Sequence, residues 1–121
     1  MTFKTDQRLG VSRAYAHGES GPTVADSLNI NFRLLSILLQ ASVKSSTTTA
    51  PPISPIDGDA YIIPTGATGA WSTHINKITQ YEDATGWVYL DIKKGFSIFV
   101  EDIDKQWIYT SAGWKTVAFE P

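Results

Sequence analysis

Residues 58–90, "GDAYIIPTGATGAWSTHINKITQYEDATGWVYL", and residues 95–117, "GFSIFVEDIDKQWIYTSAGWKTV", decide the fold, because they are two versions of one pattern. Each opens with a glycine and an apolar run ("GDAYII", "GFSIFV"). Each closes with a Tyr, a short loop and a Gly-Trp pair: Tyr81 to Gly86 and Trp87, then Tyr109 to Gly113 and Trp114. A glycine ending such a loop supplies the positive φ that a hairpin needs before the return strand begins. The runs "AYIIP", "KITQY", "WVYL", "FSIFVED", "QWIYT" and "WKTVAF" are rich in Ile, Val, Tyr, Phe and Trp and are separated by turn residues. They predict six short strands: an antiparallel β domain over residues 58–121, built as two duplicated three-stranded units.

The two versions differ in length. Gly58 to Trp87 spans 29 residues and Gly95 to Trp114 spans 19, so the first carries ten more, and these fall around "TGATGAWSTHIN". Gly66, Gly69, Trp71 and His74 sit in this insertion. A phosphate cradle would need a Lys and a helix after the glycines, and neither is signalled. Ser72 and His74 are two apart, without the strand-to-helix elbow of a nucleophilic serine. The insertion therefore reads as a structural loop folded back over the domain, with Trp71 as its anchor and His74 as a hydrogen-bonding tie. Trp87 and Trp114 read as equivalent core or rim residues. Trp71, Trp107 and Tyr109, where exposed, are the candidates for glycan or partner contact.

Other chemistry is not signalled. His17 and His74 lie in different segments without metal-ligand spacing, and the sequence has no cysteine. Asp57, Asp59, Asp91, Glu101, Asp102 and Asp104 fall at strand ends and turns, and "EDIDK" lacks the glycine and spaced glutamate of a calcium loop. No carboxylate pair suggests glycoside hydrolysis. No catalytic residue, metal site or cofactor is assigned, and the expectation is a protein that is not an enzyme.

Upstream of the β domain the pattern changes. Residues 45–57, within "SSTTTAPPISPIDGD", favour extended polyproline-like backbone and read as a spacer. A helix is predicted over 23–44, with Thr23 and Asp26 as a variant capping box and Lys44 near its C-terminal end. Ala25, Leu28, Phe32, Leu35 and Leu39 recur at 3,4,3,4 spacing, the seam of a coiled coil about two and a half heptads long. Val24, Ile30, Leu34, Ile37, Leu38 and Val43 add apolar surface off the seam, so this helix needs cover from several sides. Two readings remain open, packing on its own β domain and bundling with copies of itself. Residues 1–22 show neither helical nor strand periodicity and read as an extended arm, either disordered or docking through Phe3, Leu9, Val11 and Tyr15.

The 121 residues suffice for about one domain plus appendages. Charged residues are 18% and the formal net charge is −2, so no basic field exists for nucleic acid. Residues 1–55 carry five basic and three acidic side chains, and 56–121 carry five and nine. The apolar run "FRLLSILLQASV" is interrupted by Arg33, Ser36 and Gln40 and falls short of the ~18 residues of a membrane span. Neither export nor membrane insertion is expected.

One resemblance covers residues 24–114. Pro51-Pro52, Ser54-Pro55, Gly58-Asp59, the core Ala67-Thr68-Gly69-Ala70-Trp71, His74 and the Gly-Trp pairs resemble a family of uncharacterised domains found in phage tail and gene-transfer-agent proteins. That family also places an apolar helix before its Pro-Pro, where this chain has "ADSLNINFRLLSILLQ". Thr73 stands where the family usually shows Gly, and both hairpins lack its residue between Gly and Trp. The resemblance implies a virion component made in the host cytoplasm, such as a short tail fibre or baseplate protein. The α+β architecture expected from it and from the segments above is an N-terminal arm, a helix in an oligomeric bundle and a C-terminal β domain. A homotrimer is expected by analogy with phage fibres. Its partners would be other copies of itself, further tail or baseplate proteins and a host-surface glycan. A carbohydrate-binding module using exposed aromatics is the alternative.

Overall fold

A computed structural model describes residues 4–5, 12–13, 21–39 and 41–117. The chain divides into two units, residues 1–40 and 41–121. The fold is α+β: the described residues form one α-helix and two small sheets in addition to a short β-ribbon.

In the first unit, β1 (Lys4–Thr5) and β2 (Ser12–Arg13) pair antiparallel, Lys4 opposite Arg13 and Thr5 opposite Ser12. Phe3, Leu9, Val11 and Tyr15, the expected docking residues, lie outside the described residues. Helix α1 runs Gly21–Leu39. It starts two residues before the expected cap at Thr23. Ser27, Asn31 and Ile37 are buried, whereas Ala25, Leu28, Phe32, Leu35 and Leu39 are exposed. At 100° per residue, Ser27 and Asn31 mark one stripe and the exposed seam another, roughly a quarter turn away.

The helix does not reach Lys44, and this corrects the sequence reading. Ser42–Val43 form a strand, β3, so the helix ends before the serine-rich run. The apolar i,i+4 pair Leu39 and Val43 extends the helical pattern on paper. The β-branched Val43 instead fills a fully buried strand position, where tertiary pairing outweighs local periodicity. The spacer reading of 45–57 is corrected in its first residues for the same reason, because Ser45 and Ser46 are buried and Ser45 bridges Tyr61.

The second unit holds two meanders. Strands β4 (Ala60–Ile62), β5 (Ile78–Glu82) and β6 (Gly86–Leu90) form one antiparallel sheet. Strands β7 (Ser97–Val100), β8 (Lys105–Thr110) and β9 (Gly113–Thr116) form the other, to which β3 adds parallel beside β7. The N–H groups of Phe99 and Glu101 donate to the carbonyls of Ala41 and Val43, both at 2.9 Å. On its other side the same segment meets β4. Lys44 N–H donates to Ala60 C=O (2.8 Å), Ile62 N–H donates to Ser45 C=O (3.1 Å), and Ser45 bridges Tyr61 in parallel. Residues 41–45 are thus the strand between the two meanders.

The meanders repeat each other in backbone geometry. Gly58 N–H donates to Tyr81 C=O and Gly95 N–H to Tyr109 C=O, each at 2.8 Å. Tyr81 N–H returns to Asp59 C=O at 2.8 Å, and Tyr109 N–H to Phe96 C=O at 3.0 Å. Tyr81 pairs with Trp87 across the first hairpin and Tyr109 with Trp114 across the second. Their rings meet 5.2 Å apart at 66° in the first and 5.2 Å at 65° in the second. Gly86 and Gly113 take φ of 91° and 95°, the left-handed region that a Cβ disfavours.

Two outcomes follow for denaturant unfolding. Gly86→Ala and Gly113→Ala are expected to destabilise by similar amounts, about 1–2 kcal/mol each, since a Cβ at either position would meet no other atom and only the backbone term remains. Unequal losses would show that the hairpins are not equivalent. Val43→Ala should cost about 2 kcal/mol, from two methyls removed at a fully buried site. Little change would mean that the segment is a tether.

Candidate functional site

The chemistry-bearing side chains of the β domain gather on one face of each meander. In the first, strand alternation puts Tyr61 and Ile63 with Thr79, Tyr81, Trp87 and Tyr89 on a common face. The connection between β4 and β5 crosses that face. It turns through Gly66 and a single 3₁₀ turn, Gly69–Trp71. It is held by Thr68 N–H donating to Thr49 C=O (2.8 Å) and by Asn76 N–H donating to Ile63 C=O (2.8 Å).

Trp71 is fully buried in a cluster with Tyr61, Ile63 and Ala67, onto which Ile75, Trp87 and Tyr89 pack. Its ring lies 5.5 Å from Tyr61 and 5.1 Å from Trp87, edge-on to the latter at 81°. Such tilted pairs add about 0.5–1.5 kcal/mol beyond area burial. The structure thus places Trp71 as the anchor of its loop. It also removes Trp71 from the candidates for glycan stacking, because no face of the indole meets solvent.

His74 is not the hydrogen-bonding tie expected of it. Its Nδ1 is buried without a partner, and the ring stacks on Tyr89 with centroids 3.6 Å apart and planes 8° from parallel. The Tyr89 hydroxyl donates to Ala70 C=O (3.3 Å), so stacking and this bond close the loop together. Ser72 is exposed, and no bond joins it to His74 among the described residues. Nor do the described residues contain a group of three or more His, Asp or Glu able to hold a metal ion.

The second meander presents its own aromatics. Trp107, Tyr109 and Trp114 are all partly exposed, and Trp114 lies 6.4 Å from Trp107 with planes at 38°. Trp114 Nε1–H donates to Asn76 C=O (2.9 Å), tying the second hairpin to the end of the insertion. Asn76 accommodates this with φ of 69°. On the same face Ile98, Val100 and Val43 are fully buried. The sequence named Trp107 and Tyr109 but placed Trp114 with the turn residues, since its Gly-Trp context signals a hairpin and says nothing of exposure.

Asp57 and Asp59 brace the segment before β4. Asp83 N–H donates to Asp57 Oδ1 (2.9 Å), and Ile56 N–H donates to Asp59 Oδ2 (3.0 Å). Lys44 Nζ pairs with Asp59 Oδ1 at 3.0 Å. The hydrogen bond and charge of Asp59 push the Lys44 ammonium up. Burial pushes up the phenols of Tyr61 and Tyr89, and the Asp59 charge adds to this at Tyr61.

All three groups favour their protonated forms in the fold. Their stabilising effect is complete below the ordinary values, near 10 for both residue types, and is lost as pH rises through the higher folded-state values. The urea midpoint is therefore expected to fall above about pH 10, with part of the phenolate absorbance appearing only on unfolding. A midpoint that rises there would contradict the assignment. Trp71→Ala should cost about 3–5 kcal/mol and open the 64–77 loop to proteolysis. A loss below about 1 kcal/mol would mean that the cluster does not depend on it.

A search of curated proteins gives no match for this chain. A family model described as a protein of unknown function (DUF2793) matches residues 28–115, which include most of α1 and the strands of the two meanders except the last residue of β9. That match covers 88 of the 121 residues, and the chain belongs to the DUF2793 family of proteins of unknown function.

Proposed function

We propose that this chain is a structural component of a phage particle, a short tail fibre or baseplate-associated protein. It self-associates through α1, docks onto the particle by its residues 1–22 and presents the β domain for assembly or host-surface adhesion. The observation that carries the reading is the exposed seam of α1. Leu28, Phe32, Leu35 and Leu39 lie on one stripe, with Phe32 61% and Leu39 82% exposed. Burying each such side chain is worth roughly 1.5–3 kcal/mol, and copies of the same helix offer complementary cover.

A seam of two and a half heptads offers a two-stranded coil little area to set against the cost of association, roughly 4–15 kcal/mol. A third helix buries more of each seam, which supports the homotrimer, as does analogy with threefold phage fibres. The virion assignment and its location rest on the resemblance carried by Gly66, Gly69, Trp71 and His74 with the two Gly-Trp hairpins. The β domain's half-exposed aromatics support the adhesive part of the reading, and with it the carbohydrate-binding alternative.

Sedimentation equilibrium is the test. With a chain mass of 13.3 kDa, a trimer should weigh 3 × 13.3, or about 40 kDa. Leu35→Asp should give a monomer whose β domain keeps its near-ultraviolet tryptophan spectrum. A wild-type monomer at micromolar concentration would overturn the assembly reading.

A further inference from the structure

The first meander seals its Tyr–Trp pair and the second does not. In the first, the insertion lays Trp71 over Trp87, and Thr79 beneath is fully buried. In the second, the connection is residues 101–104 instead of 63–77, and Trp107 on β8 stands where β5 has Thr79. Trp107, Tyr109 and Trp114 stay partly open, with Trp114 at 65° to Tyr109 and 38° to Trp107. They make an angled aromatic shelf beside β9, the edge strand of its sheet.

The rim of this shelf is polar. Thr116 pairs with Trp107 across the strands, and Lys105 lies two residues before Trp107, so both share the aromatic face, and both are exposed. Among the described residues, the Thr116 hydroxyl, the Lys105 ammonium and the Tyr109 hydroxyl have no hydrogen-bonding or ionic partner.

We propose that the Trp107–Tyr109–Trp114 shelf binds a pyranose ring of a carbohydrate. The C–H face of the sugar stacks on the indoles, and its hydroxyls reach Thr116, Tyr109 and Lys105. An apolar side chain would cover the rings but strand these three polar groups without water, at a cost for each. A sugar ring has an apolar face and a hydroxylated edge, so it meets both demands. The site lies in one β domain. It deepens the adhesive part of the function proposed above, and it survives if the helical assembly fails.

The full chain is titrated by tryptophan fluorescence with maltohexaose, chitohexaose and hexagalacturonate, which separate neutral, N-acetylated and acidic rings. At least one should give a saturable change. Trp107→Ala should weaken it about tenfold or more, the scale of losing one stacked ring. Lys105→Glu, at an exposed site, should weaken binding without touching the core, and Trp107→Phe should restore most of what Trp107→Ala loses. Leu35→Asp should bind as wild type does. Saturation by none of the three, undiminished binding by a folded Trp107→Ala protein, or preference for free indole over all three would overturn the proposal. A wild-type monomer that binds sugar would sink the fibre reading and leave the shelf.

Discussion

The β domain depends on the two-sided pairing of residues 41–45. Without it the molecule has two three-stranded meanders, each with an exposed inner edge, and small open sheets are marginal in water. With it, one strand takes N–H groups from β7 on one side and exchanges bonds with β4 on the other. Because the strand runs parallel to both, β4 and β7 share a direction. The Lys44–Asp59 ion pair adds a charged contact beside this seam. Since Lys44 is half exposed, it is worth little beside the hydrogen bonds and the buried Val43.

Duplication explains the two aromatic faces better than any single motif. Two hairpins with the same Tyr–Trp geometry differ in what covers them. One received a long loop whose indole and stacked imidazole fill the face; the other received a large residue at Trp107 and a four-residue turn. A sealed aromatic cluster stabilises a fold, and an open one with a polar rim invites a ligand. The aromatic residues of both faces lie within the region that places the chain in the DUF2793 family.

Much of this was legible in the sequence. The Gly-Trp pairs set the hairpins and their 29- and 19-residue spacings located the insertion, within which Trp71 is buried. What was hidden depends on partners distant along the chain. Ser42–Val43 pair with Phe99–Val100, more than fifty residues away, and a serine-rich run with one valine carries no strand period of its own. Likewise, nothing local to His74 says that Tyr89 will lie flat against it, and nothing local to Trp71 separates a buried indole from an exposed one. The apolar seam of α1 was visible as a period, and its exposure became visible only in three dimensions.

Native-state hydrogen exchange tests the two-sided strand most directly. The amides of Lys44, Ile62, Phe99 and Glu101 report its bonds on both sides, and each is predicted to exchange only by global unfolding, as slowly as the amides of β5 and β8. Fast exchange at these four, with β5 and β8 still protected, would show that residues 41–45 are a loose tether and that the two meanders stand without them.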